Sequence, residues 1–469
     1  MLANLLKTAK ELPIEKFFLF ISLFFGLLYV FILPPFQSVD EASHFYRGYE
    51  IASFKLIPQK IKDKTGDYLP LSLETLASDY SFLIKNIDKK VDYKYIINSS
   101  KIKLNPEKTS FIDFKNTALY SPVPYLTQVP GMIIAKALNA NPLTIFYLGR
   151  ISNLIFFSLI IYFAIKIIPF YKLPLMLLAL MPMTLSLAGS LTTDVVVIGF
   201  NFLWVALLLK FIYKKTEIGV KQILSLKLLA IALALSKHYF MLIPLVFLLP
   251  KTNFKNIKTY LICIFSVLLA STISVLLWQA AINHLYTELN SNAGSQQQLQ
   301  FILTQPLSYL MIFIKSLIVK TPRIIITMIG VLGWQDTPLD FMTYIVYPVL
   351  VVLAIIAENR ADFDFKKWQV YLISSDIVLS VCLIFTTMYL MWSSVGNSII
   401  TGLNGKYFTP IMLPFLLLFY NRAKIALTDN SKLNIKLFIY IAIILILISS
   451  DLSLLHRFYN LTPNLYYKV

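Results

Sequence analysis

Charge is scarce in this sequence. Only 14% of its 469 residues are Asp, Glu, Lys or Arg, while 57% are hydrophobic. A soluble chain of this size could not bury that much apolar surface with so few charges left to face water. A soluble globular fold is therefore excluded. Acids are scarcer than bases, 24 against 42, for a net charge of +18. The surplus bases sit in the short connections between apolar runs, as the positive-inside rule requires. No basic face or recognition module accompanies them, so nucleic acid is set aside as a partner. Cysteine is nearly absent. Cys263 and Cys382 each lie inside an apolar run, which leaves no basis for a disulfide framework or a thiolate metal site.

What fills the chain is long hydrophobic runs. Several approach the roughly 20 apolar residues that cross a bilayer. Lys7, Lys10 and Lys16 precede the first, 17–33, and place the N-terminus in the cytoplasm. The run is long and no small-residue cleavage site follows, so it reads as an anchor rather than a cleaved signal. Further spans are expected at 144–166, 173–189, 195–211, 259–279, 341–357, 369–391, 409–421 and 437–454. The run 228–250 reads as two half-spans turning at Ser236-Lys237-His238, because this keeps Lys251, Lys255 and Lys258 inside. The segment 308–333 is apolar but carries Lys315, Lys320 and Arg323. It reads as an interfacial or re-entrant pair of short helices. The result is an all-α integral membrane protein of about eleven transmembrane helices, multi-pass in a bacterial inner membrane. Three parts follow: 1–33, the N-terminal segment and first span; 34–142, a large extracytoplasmic loop; and 143–469, the polytopic domain.

The stretch that stands out is 33–49, LPPFQSVDEASHFYRGY. Pro34 and Pro35 stop the first span, and Asp40, Glu41, His44 and Arg47 follow within a few residues. From Asp40 to Phe54, Phe45, Tyr49, Ala52 and Leu56 fall on one helical face, which predicts an interfacial helix. Residues 60–115 read as a small cap. Three prolines in 117–138 predict a broken helix dipping back into the membrane.

The expected topology sends every unusual polar residue to one side. Asp40, Glu41, His44, Arg47, Arg150, Asp194, the Lys237-His238-Tyr239 turn, Asp336 and Lys406 all face outward. That convergence predicts one extracytoplasmic cavity. Plainer readings exist for most of them. Asp40 and Glu41 suit the start of a helix, Asp194 suits a cap, and His44 suits packing against an apolar face. Arg150 and Lys406 suit snorkelling anchors. Lys237 resists such a reading, since a lysine amid apolar residues is costly without a partner.

The DExxHF pattern of Asp40, Glu41, His44 and Phe45, in a loop directly after the first span, resembles the protein O-mannosyltransferases. The layout is similar to that of the GT-C glycosyltransferases that use polyprenyl-phosphate sugars, including the aminoarabinose transferases. More closely, the chain resembles a bacterial polytopic family, domain of unknown function 2142. PPFQSVDEASHFYRGY, ALYSPVPYL, YLGRISN, SLTTD, GVLGWQDTPL and GKYFTPIMLP stand in that family's order. The resemblance implies a GT-C-like fold with Asp40 as catalytic base, and Lys237 with neighbouring basic groups near the donor phosphate.

The expected activity is sugar transfer from a polyprenyl-phosphate donor, a membrane lipid, to an extracytoplasmic glycan, lipid or protein. A carboxylate takes the acceptor's proton and cations stabilise the departing phosphate. Asp40 is the expected base, with Glu41, His44 and Arg47 orienting it or the acceptor. Arg150, Lys237, His238, Tyr239 and Lys406 are candidates for the donor phosphate, and Asp194 and Asp336 for the cavity wall. No metal is assigned, although Asp40 with Glu41 or Asp194 has the chemistry to hold one. A transporter, flippase or polymerase of lipid-linked glycans is the alternative. It would share the cavity and need no base.

Overall fold

A computed structural model describes residues 11–214, 217–236, 240–288, 294–358, 364–420 and 427–460. The first span is α1, Ile14–Ile32, ended by Pro34 and Pro35 as the sequence requires. The DE stretch opens α2, Glu41–Ala52. A small module follows: strands β1 (Gln59–Ile61), β2 (Lys64–Pro70) and β3 (Thr109–Asp113), with α3 (Leu71–Ser78) and α4 (Tyr93–Asn98) between the last two. The sheet is antiparallel in the order β1-β2-β3. Gly66 pairs with both Gln59 and Asp113, and a side chain there would strike the Ile112 backbone.

The proline-rich segment is broken as expected, into α5 (Lys115–Ala118), a 3-10 turn at Val123–Tyr125 and α6 (Val129–Ala137). Next come α7 (Pro142–Ile167), α8 (Lys172–Leu180), α9 (Pro182–Ala188), α10 (Asp194–Lys214) and α11 (Val220–Leu235). The expected span 173–189 is thus interrupted at Pro182. The run 228–250 breaks after Leu235 and resumes as a 3-10 helix, Phe240–Leu248. Then follow α12 (Ile257–Ile282), α13 (Ser295–Thr304), α14 (Pro306–Gly330), the β4-β5 hairpin (Val331–Leu332 with Thr337–Pro338), α15 (Phe341–Ala357), α16 (Lys367–Trp392), α17 (Thr409–Leu417) and α18 (Asp429–Phe458).

Six of these helices are long and apolar enough to cross a bilayer: α1, α7, α10, α12 with its 3-10 extension, α16 and α18. A seventh candidate is the bent pair α13–α14. The protein is a largely helical membrane protein.

Two local expectations change. The helix around Asp40–Phe54 forms, but it is buried on nearly every side rather than half-sunk in an interface. Its polar residues are buried with its apolar ones because they are paired. The segment 308–333 is one helix, α14, and not two. The 108° bend falls before it, where Gln305 and Pro306 break the chain. Tyr309 bonds Thr386, Ser316 bonds Ile400 and Thr327 bonds Gly405. All three partners lie in the last two turns of α16 or in the loop that follows it. These anchors set α14 along one end of the bundle.

That end also carries the sheet module. Thr65 bonds Leu285 after α12, and Val91 and Lys90 bond the backbone of Phe458, His456 and Arg457 at the end of α18. At the opposite end the Glu358 carboxylate receives the backbone N–H groups of Lys172 and Leu173, at 2.6 and 2.8 Å. It thereby caps α8 in the polarity a helix start favours.

A candidate active site beneath the loop after the first span

The loop from α1 to α2 is built by left-handed residues. Phe36 has φ 63° and Asp40 has φ 61°. Aspartate tolerates this conformation. A phenylalanine there needs surrounding structure to hold it. That structure is Trp334, whose indole N–H donates to the Phe36 carbonyl at 3.0 Å, and Gln37, whose amide donates to the Tyr80 carbonyl at 3.1 Å.

Glu41 and Arg150 lock the loop to the bundle. Arg150, on α7, donates from Nε and Nη2 to the two Glu41 oxygens at 2.8 and 2.7 Å. Its remaining N–H groups donate to the carbonyls of Val30, Leu33 and Pro34. All five guanidinium donors are thereby engaged. Glu41 also accepts the Leu191 N–H at 2.9 Å. Both side chains are fully buried. Arg150 therefore terminates α1, taking the carbonyls that a helix end leaves over, and has no donor left for a phosphate.

Arg47 is also tied to protein partners, although its buried Nε is left without one among the described residues. It pairs with Glu50 and donates to the Leu56 and Tyr120 carbonyls at 2.8 and 2.9 Å, tying α2 to the 117–125 segment. Burial pushes the Glu50 carboxyl up to about 7, against the opposing pull of Arg47. His44 is buried, with Nδ1 3.0 Å from the Tyr125 hydroxyl. Asp336 pairs with Arg457 at 2.7 Å, and Arg457 also reaches the Leu83 carbonyl. These groups position backbone.

Asp40 differs from its neighbours. It is half-buried, its Oδ1 accepts from Asn116 Nδ2 at 3.1 Å, and among the described residues no cation pairs with it. The two residues before it, Ser38 and Val39, line a narrow cavity of about 20 Å³. Ser186, Gln335, Asn404 and Lys406 also line it. Lys406 sits on a 3-10 turn, Gly405–Tyr407. It forms an ion pair with Asp194 at 2.7 Å, and both side chains are largely buried. Asp194 is the first residue of α10. The turn is pressed against α14: a side chain on Gly405 would strike the backbone of Ile324 and Met328.

The structure thus gathers Asp40, Glu41, His44, Arg47, Arg150, Asp194, Asp336 and Lys406 at the sheet-bearing end. It brings Lys406 and Asp194 together at the cavity and places the backbone preceding Asp40 in its wall. Lys237, His238 and Tyr239 lie outside the described residues. Leu235, just before them, is held to Ser121 at 2.8 Å, at this same end. Sequence reading missed Asn116, Asn404 and Gln335. The GKYF and GWQD motifs contained the last of these and adjoined Asn404. Among the described residues no three of His, Cys, Asp and Glu cluster as a metal-donor set.

Residues 23–416 match a family described as predicted membrane protein, DUF2142. The chain belongs to the DUF2142 family. No curated protein and no solved structure matches it. In this DUF2142 protein the matched region takes in the whole cavity, from the loop before Asp40 to Lys406, and stops just short of the last long helix.

Proposed function

We propose that the cavity is the active site of a GT-C-type glycosyltransferase that takes a sugar from a polyprenyl-phosphate donor. The observation that carries this reading is the division of labour among the charges. Glu41, Arg150 and Asp336 are engaged by protein partners and Arg47 is paired with Glu50, whereas among the described residues Asp40 has only an amide on its carboxylate, next to a cavity that Lys406 also lines. In the proposed reaction the acceptor hydroxyl gives its proton to Asp40 as its oxygen attacks the sugar C1. The bond from C1 to the phosphate oxygen breaks, and the phosphate leaves with its electron pair. Lys406 turns from Asp194 to the phosphate and stabilises that charge. Glu41, His44 and Arg47 act by holding the loop and α2, and the 237–239 turn remains a donor-side candidate.

The reading carries a topology. The sheet-bearing end faces the extracytoplasmic side of a bacterial inner membrane. The shorter apolar helices complete a bundle of about eleven crossings. An acceptor reaches the cavity from water while the donor's chain stays in the bilayer. The test is incubation of purified protein with radiolabelled polyprenyl-phosphate sugars and membrane extract. Label moving to an acceptor with release of free lipid phosphate supports transfer. Intact donor crossing the bilayer of a sealed vesicle would identify a carrier instead.

A further inference from the structure

A second polar group is buried where the proposed reaction makes no use of it. Asp451 lies on α18, seven residues before its end at Phe458. It is 6% exposed, and among the described residues neither carboxyl oxygen has a hydrogen-bond partner. An orphaned buried polar group is costly, and an ionisable one in a membrane span is rare without a role. Its neighbour Ser450 is occupied by the Tyr29 hydroxyl of α1, so the nearest donors are taken.

Asp451 lies in the wall of a groove of about 560 Å³ between α1 and α18. Phe20, Phe24 and Leu28 form one wall, and Ile448, Leu452 and Leu455 the other. The α18 wall runs from Ile444 to Leu455, roughly 17 Å at 1.5 Å per residue. The floor is closed by direct helix contact, with Phe17 stacked on Tyr440 and Tyr29 bonded to Ser450. The rims face outward: Phe20 is 68% and Leu452 55% exposed.

We infer that this groove binds one lipid by its chain, and that a hydrogen-bond donor at the lipid's head meets Asp451. Three observations select that occupant. Apart from Asp451 the walls are Phe, Ile and Leu, without the Gly, Ala, Ser or Thr that lets a second helix approach closely in a bilayer. A flexible chain threads between such side chains. A second copy of this chain docked on the same face would bury a second Asp451 carboxyl in the same apolar seam, since a two-fold interface uses the same patch of both copies. Finally, Asp451 is about two turns from the sheet-bearing end of its helix, so a lipid with its chain in the groove has its head near the carboxyl. The occupant is a long-chain lipid with a hydroxyl, amide or ammonium head, drawn from the leaflet on that side. The inference does not depend on sugar transfer.

The experiment compares two photoreactive probes on the purified full chain in phosphatidylcholine vesicles. One is a diazirine-bearing octadecanol. The other is its methyl ether, which has no donor. Labelled peptides are mapped by mass spectrometry. The alcohol is expected to label α1 and α18 at least tenfold more than the ether does, and Asp451→Leu is expected to abolish that preference. Asp451→Asn, which keeps an acceptor oxygen, retains part of it. Equal labelling by the two probes overturns the inference, as does a preference that survives Asp451→Leu. So does label spread as densely over the exposed face of α12. The two-probe comparison on the unaltered chain decides the matter without any variant.

Discussion

Replacing Arg150 with methionine is the most informative perturbation of the scaffold. The substitution keeps an unbranched apolar stem and removes a guanidinium that makes five hydrogen bonds. Glu41 is left as a buried charge with only the Leu191 and Ser38 N–H groups beside it. Breaking a buried pair by removing one partner costs about 3–5 kcal/mol. The carbonyls of Val30, Leu33 and Pro34 lose their donor as well, so the upper half of that range is expected. A domain's whole stability is only about 5–15 kcal/mol. Removing both charges, as Glu41→Met with Arg150→Met, takes away the uncompensated charge and should restore part of the loss. The expected coupling energy is about 2 kcal/mol or more. Equilibrium unfolding in detergent micelles with added SDS, followed by circular dichroism, measures the four corners of the cycle. Single changes that add to within roughly 0.5 kcal/mol would refute a structural lock. An Arg150→Met protein of ordinary stability with weakened donor binding would return Arg150 to the phosphate.

The remaining predictions are narrower. Gly405→Ala drives a methyl into the backbone of α14 and displaces the turn that carries Lys406; transfer should be lost while the unfolding midpoint falls, and an unchanged rate would mean that the turn does not position Lys406. Arg457→Ala removes the side-chain ties of Asp336 and Leu83 to α18 together, leaving only the Lys90 and Val91 bonds to its backbone, so limited proteolysis should cut near residues 83–90 and 333–338 faster than in the unaltered protein. Burial raises the Glu358 carboxyl to about 7. A raised folded-state value means stability that is full below about 4.5 and lost as pH rises through about 7. Thermal melting should therefore weaken over that window, and Glu358→Gln should flatten the dependence. Asp451→Leu removes an orphaned carboxyl and should melt at or above the unaltered protein; a large drop would reveal an internal partner.

Much of the organisation was legible in the sequence because two signals are local. Apolar length marks a span and proline marks its end, so α1 lies within three residues of its expected bounds. Lysine and arginine placement put the unusual polar residues at one end, and those among the described residues are there. Partnership was not legible. Glu41 and Arg150 are 109 positions apart, and Asp336 and Arg457 are 121 apart. Nothing in the local pattern distinguishes a charge saturated by such a partner from one left for a substrate. The same limit made 308–333 look like two helices, since Lys315, Lys320 and Pro322 argue against a span without saying that one helix lies along the bundle end. Asp451 was overlooked although its signal was present: an acid inside the last apolar run, the same mark that drew attention to Lys237.

The central claim is that Asp40, and not Glu41, is the base of a transfer reaction. It is tested most directly by the rate at which Asp40→Asn protein releases free lipid phosphate from a radiolabelled polyprenyl-phosphate sugar. A loss of about 10²–10⁴-fold with an unfolding curve matching that of the unaltered protein is the predicted result. An unaltered rate in that variant would contradict it.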